Sequence, residues 1–121
     1  ASPFYNRILD YIYLSPTADT TTGGQTIYRY LQSNSTIYGG EVSGESLLMP
    51  FLKAKASYGY LHGVQDNGNY LPLIPQNTVR LSLTAFWKQY RFIKKPSVSL
   101  ESVNAFAQNH PSSFETKTNG Y

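Results

Sequence analysis

Few residues of this chain are equipped for chemistry. His62 and His110 are its two histidines, and cysteine is absent, which excludes disulfides, thiolate metal sites and cysteine nucleophiles. Neither histidine stands at a ligand spacing such as His-x-x-x-His or beside a carboxylate paired with a second histidine. Each sits beside a loop, so the sequence predicts solvated imidazoles and no metal site. Glu41 and Glu45 lie four apart on an extended segment and therefore on one face. Such a pair is able to work as general acid and base, but two water-facing carboxylates are the commoner arrangement. There is no G-x-S-x-G elbow and no phosphate-cradling glycine loop ahead of a helix. The expectation is a protein that is not an enzyme and carries no cofactor.

Aromatic chemistry is abundant instead. The chain holds 11 tyrosines among 121 residues while only 14% of residues are charged, against about 25% in ordinary soluble domains. That is the composition of β-structure with one side turned away from bulk water. Tyr11, Tyr13, Tyr28, Tyr30, Tyr58, Tyr60 and Tyr70 fall near the ends of extended segments that lead into long loops. Three roles compete: platforms for stacking sugars or bases, ordinary sheet packing, and a girdle at a membrane–water interface. Their shared position near the long loops favours the girdle, with Phe86 and Trp87 supplying its counterpart at the far end. The net charge is only +3 and the basic residues cluster only at Lys94-Lys95, which predicts no nucleic-acid partner.

The elements that must position these residues follow from a period of two. In the best-defined hairpin Leu52, Ala54, Ala56, Tyr58 and Tyr60 alternate with Lys53, Lys55, Ser57 and Gly59. Val79, Leu81, Leu83 and Ala85 likewise alternate with Arg80, Ser82 and Thr84. Strands are predicted at about 4–14, 27–48, 51–63, 77–88 and 97–108. Gly39-Gly40 marks a bend or bulge in the second, and a slip of apolar parity predicts a bulge near Ser102 in the last. Arg7 falls on the apolar side of the first strand and would have to snorkel. Connections alternate: long at 15–26, 64–76 and 109–118, short at 49–50 and 89–95. A soluble sandwich has no reason to sort its loops this way, whereas a transmembrane β-barrel has short turns on one side and long loops on the other. No apolar run approaches the ~18 residues of a membrane helix.

The expected fold is thus all-β, an antiparallel up-and-down meander of about five long strands forming one unit over 1–121. Five strands fall short of the about 8 of the smallest closed barrel, so the sheet cannot close alone. The alternative is a soluble all-β carbohydrate- or ligand-binding module. An apolar stripe covered by the same chain would favour that alternative, and an uncovered stripe a segment of something larger.

Several blocks in order make that larger object specific. FYNRILDYIYLSPT from Phe4, YRYLQSNSTIYGGEVS from Tyr28, ASYGYLHG from Ala56, YLPLIPQNTVRLSL from Tyr70, then AFAQN, ET and GY, together resemble the barrel of TonB-dependent outer-membrane receptors over nearly the whole chain. The resemblance implies part of a barrel of about 22 strands in the bacterial outer membrane. It implies uptake of a scarce nutrient such as a ferric siderophore, with the lipid bilayer, an N-terminal plug domain, the TonB system and a nutrient ligand such as a metal chelate as partners. Plug and final strands are missing from these residues, so the fragment is expected to be inactive by itself. It is also expected to self-associate through its sheet edges or apolar face. The resemblance places the long loops outside the cell, with His62, Asp66, Asn67, Asn69 and Tyr70 as candidates for the ligand-proximal rim.

Overall fold

A computed structural model describes residues 1–121, the side chain of Tyr90 excepted. Its strands are β1 (Ser2–Thr20), β2 (Thr26–Met49), β3 (Leu52–Gln65), β4 (Thr78–Phe86), β5 (Gln89–Tyr90), β6 (Ile93–Lys94) and β7 (Ser97–Ala105). Five of them form one antiparallel sheet in the order β1-β2-β3-β4-β7, and β5 and β6 make a separate two-stranded ribbon inside the β4–β7 connection. The sheet is a meander that does not close.

The 15–26 segment is not the long loop that its Thr- and Gly-rich composition predicts. β1 continues to Thr20, and only a tight turn remains. There the Thr21 N–H donates to the Gln25 carbonyl (2.8 Å) and the Gly24 N–H to the Thr21 carbonyl (2.9 Å), with Gly24 at φ 78°. β-branched threonines are good strand residues, and they carry the pairing with β2 on past Pro16 to Thr20, which stands opposite Thr26.

Two parity irregularities resolve differently. In β1 the register shifts between Ile8 and Tyr11. Asp10 sits there at φ 59° and its N–H donates to the Asn34 side-chain oxygen (3.0 Å). This bulge flips the strand, so Phe4, Asn6 and Ile8 share a face with Tyr11 and Tyr13. In β7 no shift exists: Thr78 to Phe86 pair continuously with Ala105 to Ser97. The expected bulge near Ser102 is absent because Val103 and Ala105 stand on the same face as Glu101 and Ser99.

The register then sorts the sheet. Val42, Ala54, Ala56, Tyr58, Val79, Leu81, Leu83, Ala85, Val98 and Leu100 fall on one face. Glu41, Ser43, Glu45, Lys53, Lys55, Ser57, Arg80, Ser82, Thr84, Ser99 and Glu101 fall on the other. Lys53 pairs with Glu45 at 2.8 Å and Arg80 with Glu101 at 3.5 Å on that polar face. Phe86, opposite Ser97, also belongs to the polar face, so only Trp87 is left to serve the outer one.

The apolar stripe has no second layer over it: Leu81, Leu83, Val98 and Leu100 remain 44–71% exposed. A soluble sandwich or a small closed barrel would cover that stripe with its own chain. Among the described residues the only fully buried large apolar side chain is Leu71, and it lies at the loop end, not in the middle of the sheet.

Candidate functional site

The long-loop end of the sheet is where polar chemistry gathers. β3 runs into a tight turn: the Gly68 N–H donates to the Gln65 carbonyl (2.9 Å) and the Gln65 N–H to the Asn69 carbonyl (2.8 Å). Gly68 takes φ 85°, which glycine adopts freely. Asn67 builds this turn from within, its side-chain oxygen accepting from the Asn69 N–H (2.9 Å) and its amide donating to Gln65 Oε1 (3.3 Å). Asp66 at the tip accepts from Arg7 (2.5 Å), and Arg7 also donates to Thr36 Oγ1 (3.2 Å). The expected snorkelling of Arg7 is thus replaced by an ion pair that ties β1 to the β3 turn.

The chain then folds back. Tyr70 bridges to Val64, and the Leu71 N–H donates to the Gly63 carbonyl (3.0 Å). Leu71 and Ile74 cover Gly63, where a Cβ would come within 2.7 Å of Ile74 and 3.0 Å of Leu71. Gly63 follows the polar-face parity of β3, so this loop folds over the polar side of the sheet.

Residues 106–120 form the second long loop, and it is fastened to the first. The Phe106 N–H donates to the Asn77 carbonyl (2.9 Å) and Gln108 Nε2 to the Ile74 carbonyl (3.1 Å). Ala105 and Tyr121 exchange both backbone hydrogen bonds (2.8 and 3.0 Å), so the chain ends in the position of a further antiparallel strand. Glu115 is the clamp. Its two carboxylate oxygens accept from the Leu73 N–H (2.8 Å) and the Ser112 N–H (3.0 Å). Leu73 is held at φ 61° beside it, a backbone state that costs a non-glycine residue energy unless its surroundings fix it.

Partial burial pushes the Glu115 carboxyl upward, but the N–H donations from Leu73 and Ser112 outweigh it and hold the group below the usual carboxylate range. A depressed folded-state value stabilises the folded loop above the unfolded value, and that contribution is lost as pH falls through the folded one. Acidification below the ordinary carboxylate range is therefore expected to release the clamp, as Glu115→Gln should at neutral pH. Amide hydrogen exchange at Leu73 should quicken by about tenfold in both cases, the scale of one charge-assisted hydrogen bond. Unchanged protection would show that the clamp holds nothing.

The other two rim candidates stand elsewhere. His62 and Tyr70 lie on the apolar side of the sheet, in a patch of rings. Tyr38 is 5.1 Å and Tyr60 6.3 Å from His62 between centroids, Tyr70 is 5.6 Å away, and His110 5.5 Å away. The structure thus splits the five candidates: Asp66, Asn67 and Asn69 form the turn, while His62 and Tyr70 face outward with His110. The approach of His110 had no signal in the sequence, because nothing local reports where its loop returns. The tyrosines divide too. Tyr5, Tyr38, Tyr58 and Tyr60 ring the outer face, whereas Tyr11 and Tyr13 stack together on the opposite one (6.4 Å), where the Tyr13 hydroxyl donates to Gln65 Oε1 (3.3 Å).

Among the described residues no three His, Cys, Asp or Glu side chains gather as a metal cage, and no helix is long and apolar enough to cross a membrane. What the arrangement offers is a wall: apolar outside, charged and hydroxylated inside, rimmed at one end by two clasped loops.

Comparison with known proteins gives this wall a context. The family model described as TonB dependent receptor-like, beta-barrel, matches residues 1–121. A solved structure of the copper transporter OprC superposes with a TM-score of 0.79 at 20% sequence identity, over 97% of this chain and 18% of that one. The chain therefore spans less than a fifth of the length of that protein, and the likeness is one of fold. A search of curated proteins returned no match.

Proposed function

This chain belongs to the TonB-dependent receptor-like β-barrel family of the bacterial outer membrane, and from that premise we propose that it forms one arc of a receptor that takes up a scarce nutrient. The observation that carries the reading is the sorting of faces. Along β2, β3, β4 and β7 the residues at bilayer depth alternate between an uncovered apolar stripe and a wall bearing Lys53, Lys55, Arg80, Glu41, Glu45 and Glu101. Lipid on one side and a watery interior on the other require that pattern. Open edges in lipid leave backbone groups unpaired at several kcal/mol each, so the arc works only with the remaining strands in place.

In this reading the clasped loops 66–77 and 106–120 stand at the outer mouth, and the turn at Asp66, Asn67 and Asn69 belongs to the rim that meets the cargo. The β4–β7 connection faces the periplasm. The barrel wall surrounds a plug domain, and TonB supplies energy from the inner membrane. The cargo class is a small metal-bearing nutrient. A ferric siderophore is the first to test and copper the second, the latter because a protein of the same fold is a copper transporter.

Uptake of radiolabelled iron chelates and of copper should be compared in cells carrying or lacking the full-length gene, with and without TonB. Loss of one cargo in both deletions is the expected result. Intact uptake of both, with the protein present in the outer membrane, would overturn the reading.

A further inference from the structure

Two imidazoles remote in sequence meet on the outer face. His62 continues the Tyr58–Tyr60 row of β3 and stands opposite Tyr38. His110 arrives from the 106–120 loop. Their ring centroids are 5.5 Å apart with the planes at 77°, and Tyr70 closes the triangle at 4.8 Å from His110. Both imidazoles line one cleft of about 140 Å³, which Gln76, Asn77 and Gln108 help to wall. Among the described residues neither imidazole has a hydrogen-bond or ion-pair partner, so their ring nitrogens are unspent.

The spacing suits a shared cation. A ligating nitrogen lies about 2.0–2.1 Å from a metal such as zinc and the ring centre about 1.2 Å farther, so centres at this separation would subtend an angle of about 120° at an ion that a nitrogen of each ring faced. That is an ordinary angle for a tetrahedral or trigonal centre. The cleft has room for an ion and the waters that complete its shell, since a water occupies about 30 Å³. Imidazole nitrogen suits first-row divalent cations, and copper(II) binds such donors most tightly, ahead of zinc.

We propose that His62 and His110 form a bis-imidazole site for a divalent first-row cation, copper(II) above all, with the Tyr70 ring packed against both imidazoles. The site lies on the outward side of the sheet at the long-loop end, away from the polar interior wall. Its role is to staple the 106–120 loop to β3, and it is independent of the cargo the barrel carries.

The full-length protein in detergent, stripped with chelator, should be titrated with copper sulfate and followed by electron paramagnetic resonance. The expected result is one site whose spectrum reports two imidazole nitrogens. Its stoichiometry should fall by one in both His62→Phe and His110→Gln, and copper should slow amide exchange across 106–120 about tenfold in the wild type alone. His110 is exposed in a loop, so His110→Gln decides the matter even if His62→Phe fails to assemble. Equal stoichiometry and an unchanged spectrum in His110→Gln would reduce the triangle to ring packing and sink the proposal. Uptake assays bear on the cargo only, so their failure leaves this outcome distinct.

Discussion

Leu83→Arg is expected to cost the assembled barrel about 2–4 kcal/mol, while Ser82→Arg one residue away should cost close to nothing. Leu83 and Leu81 flank the midpoint of the nine-residue β4. Leu83 pairs with Ala54 on one side and Leu100 on the other, all on the uncovered apolar face, and it is 44% exposed. A guanidinium there would stand near the bilayer centre, where the penalty for a cation is greatest. Ser82 pairs with Lys55 and Glu101 on the charged face, where an added arginine meets water and carboxylates. Denaturant unfolding of the full-length protein in lipid vesicles would measure both. Similar losses for the two variants would mean that the faces have been assigned the wrong way or that neither meets lipid.

The second large effect is expected at Gly39. A Cβ built there overlaps the Tyr60 carbonyl oxygen and comes within 3.1 Å of Leu61 Cα. Both obstacles are backbone, so no rotamer change relieves them. At the adjacent Gly40 a Cβ comes within 3.0 Å of Pro3 Cα, so β2 is squeezed from both neighbours at this level. Gly39→Ala should therefore cost at the upper end of the about 1–3 kcal/mol typical of overpacking. Gly44, on the same strand, has nothing within 4 Å of a built Cβ. Gly44→Ala should be neutral or slightly stabilising, because alanine loses less backbone entropy on folding. Folding yield judged by heat-modifiable mobility in gels separates the two. Equal yields would show that the strands part easily at Gly39.

Most of the sheet was legible because period two is a local signal that burial on one face enforces. Leu52 to Tyr60 and Val79 to Ala85 needed nothing beyond their own alternation, whereas Gly39-Gly40, read as a bend or bulge, pairs without a shift on both sides and marks a close approach of strands instead. The errors share one cause, the use of composition where pairing decides. Thr17 to Thr20 read as loop because threonine and glycine crowd the stretch, yet β2 offers a partner strand there. Val103 and Ala105 suggested a bulge because they are apolar, yet β4 holds them in register. Of the candidate site, the turn at Asp66 to Gly68 was readable from its Asp-Asn-Gly chemistry. The Glu115 clamp and the meeting of His62 with His110 were not. Each joins two loops, and loop-to-loop contacts leave no periodic trace in a single sequence.

The β1–β2 hairpin is far longer than a membrane needs. The 24 residues of β2 extend about 80 Å at roughly 3.3 Å per residue, whereas a tilted strand crosses a bilayer in about 9–11 residues. Set in a bilayer as proposed, the turn at Thr21–Gln25 would stand on the order of 30 Å clear of the hydrocarbon even with the tilt. In the proposed orientation it is a mast rising from the cell, and its tip would be the first part of the chain that a large particle outside meets. Nothing lies within 4 Å of a side chain built at Gly24, and at Gly23 only the Thr21 hydroxyl does, at 3.9 Å. A peptide epitope spliced between those glycines would touch no strand pairing, and living cells could be labelled through it with their envelopes intact.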